Sequence, residues 1–277
     1  MNEVVIMWVA VTAYALGAVM FVFGAVFRHS RVLDAAVWVS LAGLIPHTAA
    51  IALRWHAVGH GPYLGFYEVV STYAYVSVLA LALVVWRFPN LRFLGVVMMP
   101  AAFLTLGGAM LAPKAAVSIT PTLASYWLNI HVLFAKLSYM SFIAAFALAV
   151  VYLIRAKRGA PQGSMLSRLP EPDSIDDLSF RFVAVGFIFL TVMIVAGSIW
   201  ANEAWNRYWA WDPIETWSLI SWLVYAGYLH ARLTLGWRGE RSAWYAALAL
   251  PVILFTLIGV PVVYHSIHGA YLTGYTK

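Results

Sequence analysis

The chain has 277 residues, 63% of them hydrophobic and 10% charged; a water-soluble domain cannot hide that much apolar surface, so the composition predicts a polytopic membrane protein. The formal charge of +6 needs no nucleic-acid partner, because it follows from an uneven distribution of Lys and Arg among the loops. With no cysteine, the chain offers no thiol chemistry, no disulfide and no iron–sulfur ligation of its own.

Apolar runs long enough to cross a bilayer fall at about 4–27, 32–53, 64–86, 93–112, 126–154, 182–200, 216–235 and 244–264. They predict an all-α polytopic membrane protein of about eight transmembrane helices in one bundle, a single integral-membrane domain over 1–277. The first run lacks a basic leader and a small-residue cleavage site and is read as a retained span. Pro100 and Pro251 fall inside runs and predict kinks.

The basic residues sort to two sides. Arg28, Arg31, Arg87, Arg92, Arg155, Lys157, Arg158, Arg168, Arg181, Arg232, Arg238 and Arg241 fall on one, and Arg54, Lys114, Arg207 and Lys277 on the other. The richer side is expected to be cytoplasmic, with both termini outward. The long inner loop, about 155–181, reads as a solvated connector with a helix N-cap near Asp176. Unusual residues gather in the outer loops. RWHAVGHGPY at 54–63 is followed by Glu68, PKAAVSITPTLAS at 113–125 leads into Trp127 and His131, and the tail holds His265 and His268.

Between the sixth and seventh runs lies WANEAWNRYWAWDPIETWSLISW, Trp200 to Trp222. It holds six of the chain's 13 tryptophans, together with Glu203, Asp212 and Glu215. Tryptophan gathers at the headgroup level of any membrane protein, but a belt calls for scattered rings, whereas this string has the aromatic faces to clasp a large flat ring. Asp212 and Glu215 stand where they can cap the helix that follows.

The eight histidines require an account, since ionisable groups at bilayer depth usually serve a purpose. His29 reads as plain surface. His56 and His60 read as solvated, with a weak HxxxH metal pattern as the alternative. His131, five residues into the fifth run, and His268, just beyond the eighth, both approach the outer face where the tryptophan string lies. Two imidazoles flanking such a bed suit bis-histidine ligation of a heme iron. His265 competes with His268 at a spacing of three. His230 lies about 21 Å inward of Thr216 and marks a second, intramembrane site. His47, after Pro46, is a weaker candidate. Lys136 is costly in lipid and is read as snorkelling outward or pairing with Glu68 or a heme propionate.

The string from Trp200 through His230 to Leu233 resembles the WWD signature of the heme-handling cytochrome c assembly proteins. Within them it looks closest to the CcsA (ResC-type) subunit of the system II cytochrome c synthase, since DPIETW fits that branch better than the system I relatives CcmC and CcmF. RW…GHGPYLGFYE, SYWLNIHV and the final SIHG extend the likeness over roughly Pro46 to His268. The resemblance implies heme b as both cofactor and transferred substrate, carried to the outer face for thioether attachment to a CxxCH apocytochrome c. It implies Trp205, Trp209, Trp211, Asp212 and Trp217 against the heme, and His131 and His268 as outer axial ligands. His230 would be an intramembrane ligand whose mate comes from a CcsB/ResB-type membrane subunit. The implied location is a bacterial inner membrane with the WWD loop on the periplasmic face. His265 is an extra histidine beside the expected ligand, and Pro261 stands where a polar residue is expected. A HemX-like regulator of heme supply, without synthase activity, is the alternative reading.

Overall fold

The computed structural model describes residues 2–114, 121–159 and 165–266. Among them every regular element is helical. The elements are α1 (Glu3–Val26), α2 (Ser30–Val58), α3 (Phe66–Arg87), α4 (Gly95–Leu111), α5 (Tyr126–Arg158), α6 (Pro172–Trp205), α7 (Pro213–Leu233), α8 (Glu240–Leu254) and a short α9 (Val260–Val263). A 3-10 segment, Pro89–Leu94, leads into α4, and a π-helical turn, Phe255–Gly259, joins α8 to α9.

Local chemistry sets several boundaries. Asn2 caps α1 by accepting from the Val4 amide, and Ser125 caps α5 by accepting from Trp127 and Leu128. The last turn of α5 carries Arg155, Lys157 and Arg158, cations that complement a helix C-terminus. α2 ends at Gly59, whose φ of 77° is the left-handed conformation that glycine takes without a steric cost. Pro46, Pro100 and Pro251 all lie inside helices.

Seven helices are long and apolar enough to cross a membrane, among the described residues. α7 is not one of them, because Glu215, His230, Arg232 and a run of Trp and Tyr dilute its apolar character. At 21 residues it is nonetheless about 31 Å long, enough to span the hydrocarbon. The inner connector is shorter than its composition suggests. α6 begins at Pro172, a residue suited to the first helical position, so the N-cap is Glu171 and not Asp176. Asp176 lies inside the helix and is buried.

The helices form two packed groups. α1 lies along α2 and α4, with α3 against α4; α5 lies along α6 and α8, with α7 against α8; α3 and α5 join the groups. One core is built on Met7, Tyr14, Phe21, Leu33, Met98 and Leu106. The other is built on Tyr139, Phe142, Val183, Leu190, Tyr225 and Ile253. In the second core Phe142 and Tyr225 stack with centroids 3.5 Å apart.

Charges collect at the two ends of the bundle. At the end bearing the tryptophan loop, Arg54 bridges Glu3 (3.2 Å) and Glu68 (3.0 Å). At the far end Arg92 pairs with Asp34, and Arg232 pairs with Asp176 (2.5 Å) and Asp177 (2.8 Å). Arg155 donates to the carbonyls of Leu169 and Pro170 there, closing the connector.

Candidate functional site

The site is assembled from the loop ends of α3, α5, α6 and α7. α6 stops at Asn206, a left-handed C-cap with φ 56°, and α7 starts with Pro213 at its first position. Asp212 and Glu215 form a reciprocal capping box. Asp212 Oδ2 accepts from the Ile214 amide (3.2 Å), and Glu215 Oε2 accepts from the amides of Ala210 (2.8 Å) and Asp212 (3.2 Å). Trp211 is forced to a φ of 59°, rare for a bulky residue. The tryptophan loop is thus clamped by its own carboxylates onto the start of α7.

Beneath the loop stands His131, half-buried on α5. Its Nδ1 lies 2.8 Å from the Met193 carbonyl of α6. A carbonyl only accepts, so the proton sits on Nδ1 and the lone pair on Nε2, the tautomer required of a metal ligand held by its other nitrogen. The ring lies 6.3 Å from Trp200, whose Nε1 donates to the Thr122 carbonyl (2.8 Å) and whose face meets Trp205 at 5.0 Å. Gly197 permits this approach, since a Cβ there would fall 2.5 Å from His131 Nδ1.

Two cavities meet at His131. The smaller, about 50 Å3, lies under the loop between Tyr208, Trp209, Glu215, Gly197 and Ala201. The larger, about 160 Å3, runs inward between Tyr73 and Val69 of α3, Tyr139 of α5, Trp200 of α6 and Thr256 of the π turn. His131, Met193, Ile214 and Ser218 line both. No other histidine among the described residues lines either one. Trp209 Nε1 is buried with no hydrogen-bond partner among the described residues. An orphaned donor beside a cavity is a costly feature unless a bound group accepts from it. The two volumes together fall short of the roughly 300–1,000 Å3 of pockets that bury a drug-sized ligand. Tyr208 and Trp209 of the tryptophan loop line the smaller of the two.

The other sequence candidates are spread more widely. Trp211 is exposed and meets Trp209 edge-on at 5.9 Å. Trp205 joins Trp200 in a small cluster with Leu64, Leu123 and Leu128. Trp217 faces the π turn, packing edge-on against Phe255 at 4.6 Å. His230 is exposed in the last turn of α7, about 26 Å along the axis from Pro213. His265 is exposed just past α9, and His268 lies outside the described residues. His47 is wholly buried within α2, 3.1 Å from the Tyr14 hydroxyl and edge-on to Tyr75 at 5.2 Å, and lines neither cavity. Among the described residues no cluster of three or more His, Cys, Asp or Glu is arranged to hold a metal ion.

His56 and His60 do not share a fate. His56 is exposed, but His60 is buried, with Nδ1 2.8 Å from the Gly61 carbonyl and 3.7 Å from Glu68 Oε2. The 59–65 connection folds inward, which brings the Pro62 carbonyl within 2.9 Å of Lys136 Nζ. Lys136 answers that buried carbonyl from about 15 Å along α5. Met193, Ser218 and Thr256 carried no signal in the sequence. Gly197 did, as one of two glycines in the apolar run of α6, where the missing side chain lets a neighbour approach closely.

Residues 63–268 match the family model described as Cytochrome C assembly protein. This chain belongs to the cytochrome c assembly family. A CcsA from Chlamydomonas reinhardtii is 37% identical over 79% of this chain, and the chain spans 63% of that relative's length. CcsA proteins from Synechococcus sp. (strain CC9902) and Gloeobacter violaceus are 35% and 31% identical, covering 86% and 94% of this chain and 86% and 93% of their own. All three are named as cytochrome c biogenesis proteins. In fold the chain is similar to a solved cytochrome c heme lyase, CcmF, at a TM-score of 0.71 and 18% identity, over 98% of this chain and 48% of the other. The CcsA likeness read from the tryptophan string and SYWLNIHV thus holds over most of the chain, and this multi-pass membrane protein serves in cytochrome c biogenesis.

Proposed function

We propose that the chain holds heme at the tryptophan loop and presents it for covalent attachment to apocytochrome c. The observation that carries this reading is His131. Its imidazole is held by the Met193 carbonyl in the metal-binding tautomer, where two cavities meet, the smaller of them lined by Tyr208 and Trp209 of the tryptophan loop. Trp209 offers its orphaned N–H to a polar side group of the substrate, and the apolar walls from Tyr73, Tyr139, Met193 and Trp200 exclude water from its ring. His268 is the second axial ligand in this reading.

Heme, as substrate, brings the vinyl groups onto which thiols add; the chain, having no cysteine, supplies none, and the thiols come from the CxxCH motif of the acceptor. The work of this chain is therefore to bind, orient and shield. His230, exposed at the far end of α7, takes the intramembrane role, its companion ligand coming from a CcsB/ResB-type subunit. Heme enters from the cytoplasmic side and leaves at the outer face of a bacterial inner membrane, and attachment requires that partner.

The test is an absorption spectrum of the chain purified with a CcsB-type partner, paired with attachment of heme to a CxxCH peptide. Wild type is expected to show low-spin heme and to label the peptide. His131→Ala is expected to keep some heme on the apolar walls but to lose low-spin character and attachment. A normal spectrum and normal labelling in His131→Ala would overturn the reading. Heme bound with no labelling in wild type, partner present, would instead leave a HemX-like regulator.

A further inference from the structure

α7 and α8 pack side by side, and near the arginine-rich end they leave an open groove of about 490 Å3 between them. That volume falls in the roughly 300–1,000 Å3 range of pockets that bury a drug-sized ligand, which the two cavities at His131 do not reach. Its floor is fixed by Tyr245. Gly227 leaves room for that ring, since a Cβ there would fall 2.6 Å from the Tyr245 hydroxyl, and the hydroxyl donates to the Val224 carbonyl at 3.1 Å. Trp237, on the turn before α8, meets Tyr245 edge-on at 6.4 Å.

Polarity changes along the groove. At its outer end stands Arg241, and from Arg241 and Trp237 a second hollow continues to Arg238 and Glu240. Leu248 lies about 10 Å further along α8, with Val224 of α7 at a similar depth, so the inner stretch is apolar. Trp244 stands between the two regions, exposed, as tryptophan does where hydrocarbon meets headgroups. The neighbouring arginines already have carboxylate partners: Arg232 pairs with Asp176 and Asp177, and Arg238 with Asp177. Arg241 is exposed and forms no ion pair among the described residues. An unpaired guanidinium at the head of an apolar groove fits an amphiphile with an anionic head and a flexible tail. Heme shares that polarity, but no histidine lines either hollow among the described residues, so its iron would find no axial ligand there.

We propose that this groove binds an anionic glycerophospholipid, its phosphate on Arg241 and one acyl chain lying over Tyr245 toward Leu248. Basic pockets between membrane helices take anionic headgroups in this way. The lipid seats α7, too polar to qualify as a span on apolarity alone, against α8 beside the Arg232 clamp. Its binding is independent of heme.

The test titrates the full chain, purified in a neutral detergent, with phosphatidylglycerol, phosphatidylcholine or glycerol 3-phosphate. Lipid retention is read by native mass spectrometry, together with the midpoint of thermal unfolding. One phosphatidylglycerol is expected to stay bound and to raise the midpoint. Phosphatidylcholine is expected to be retained several-fold less, and glycerol 3-phosphate to leave the midpoint unchanged. Arg241→Gln is expected to keep the lipid-free midpoint while phosphatidylglycerol retention falls several-fold, to the phosphatidylcholine level. Arg241→Lys keeps the charge and is expected to keep most of the retention. Arg158→Gln, exposed at the same end but outside the groove, is expected to behave as wild type. Equal retention of the two lipids, wild-type retention in Arg241→Gln, or an equal loss in Arg158→Gln would overturn the site. A midpoint raised as far by glycerol 3-phosphate would overturn the lipid in favour of a small anion. Loss of the bound lipid when the CcsB-type partner is added, with Arg241→Gln weakening that partner's binding, would overturn it in favour of a subunit interface.

Discussion

A single atom contact decides how much of His131 is available to a ligand. The Met193 carbonyl can hold Nδ1 at 2.8 Å only because residue 197 of α6 has no side chain. Gly197→Ala would place a methyl 2.5 Å from Nδ1, so the ring must swing away while the imidazole itself remains. Losing the group that orients a metal ligand typically costs about 10–100-fold in metal affinity or activity. Gly197→Ala is therefore expected to lower peptide labelling by roughly that factor and to shift the spectrum toward high spin, as His131→Ala does. Labelling at the wild-type level would show that the carbonyl does not orient His131. The histidine was legible in the sequence, because SYWLNIHV placed it near the outer end of a span. Its orientation was not, because Met193 lies 62 residues away and nothing in a linear pattern announces a carbonyl turned toward a ring. His60 shows the converse. A loop of Gly, His and Pro reads as solvated, yet the connection folds inward and buries the imidazole beside Glu68.

Among the helices, the far end of the bundle is tied by charge as well as by apolar packing. Arg232 of α7 is nearly fully buried and pairs with Asp176, also buried, and with Asp177 of α6; it donates as well to the Trp237 carbonyl (3.2 Å). Arg238 joins from the turn before α8 but stays largely exposed. Removing one partner of a buried pair strands the other charge at a cost of about 3–5 kcal/mol, whereas an exposed partner contributes about 0–1 kcal/mol. Arg232→Ala is expected to lower stability by the larger amount in an SDS titration of the purified protein, and Arg238→Ala by the smaller. Equal effects would mean that Asp176 is not held by Arg232. The acidic run EPDSIDD explains why this clamp escaped the sequence reading. Asp176 looks like an N-cap when only its neighbours are known, and its partner is 56 residues on. The apolar runs themselves were legible, since composition alone marks a span, and the ends of α1 and α5 fall within a few residues of them.

At the scale of the whole molecule, the order of the helices fixes which ends meet, and the charge distribution bears on which way they face. Glu3, Arg54 and Glu68 join the start of α1, the end of α2 and the start of α3, while Asp34 and Arg92 join the opposite ends of α2 and α4. The Asp212–Ser266 bond brings the chain after α9 back to the end that carries the tryptophan loop, and Ser125 meets Glu203 there at 2.6 Å. Both Asn2 and Ser266 therefore lie at the same end, which requires an even number of crossings. Seven helices qualify by length and apolarity, so α7 must cross as well, its polar residues turned to the site and to the clamp. If the arginine-rich end is cytoplasmic, as the loop charges argue, the tryptophan loop faces outward. A periplasm-active reporter joined after Lys277 is expected to be active, and one inserted between Gly159 and Ser164 inactive. Opposite activities at both positions would reverse the orientation and leave the pairing of ends intact. Activity at both would mean an even number of crossings between Ser164 and Lys277, and α7 would be the helix to remove from the membrane.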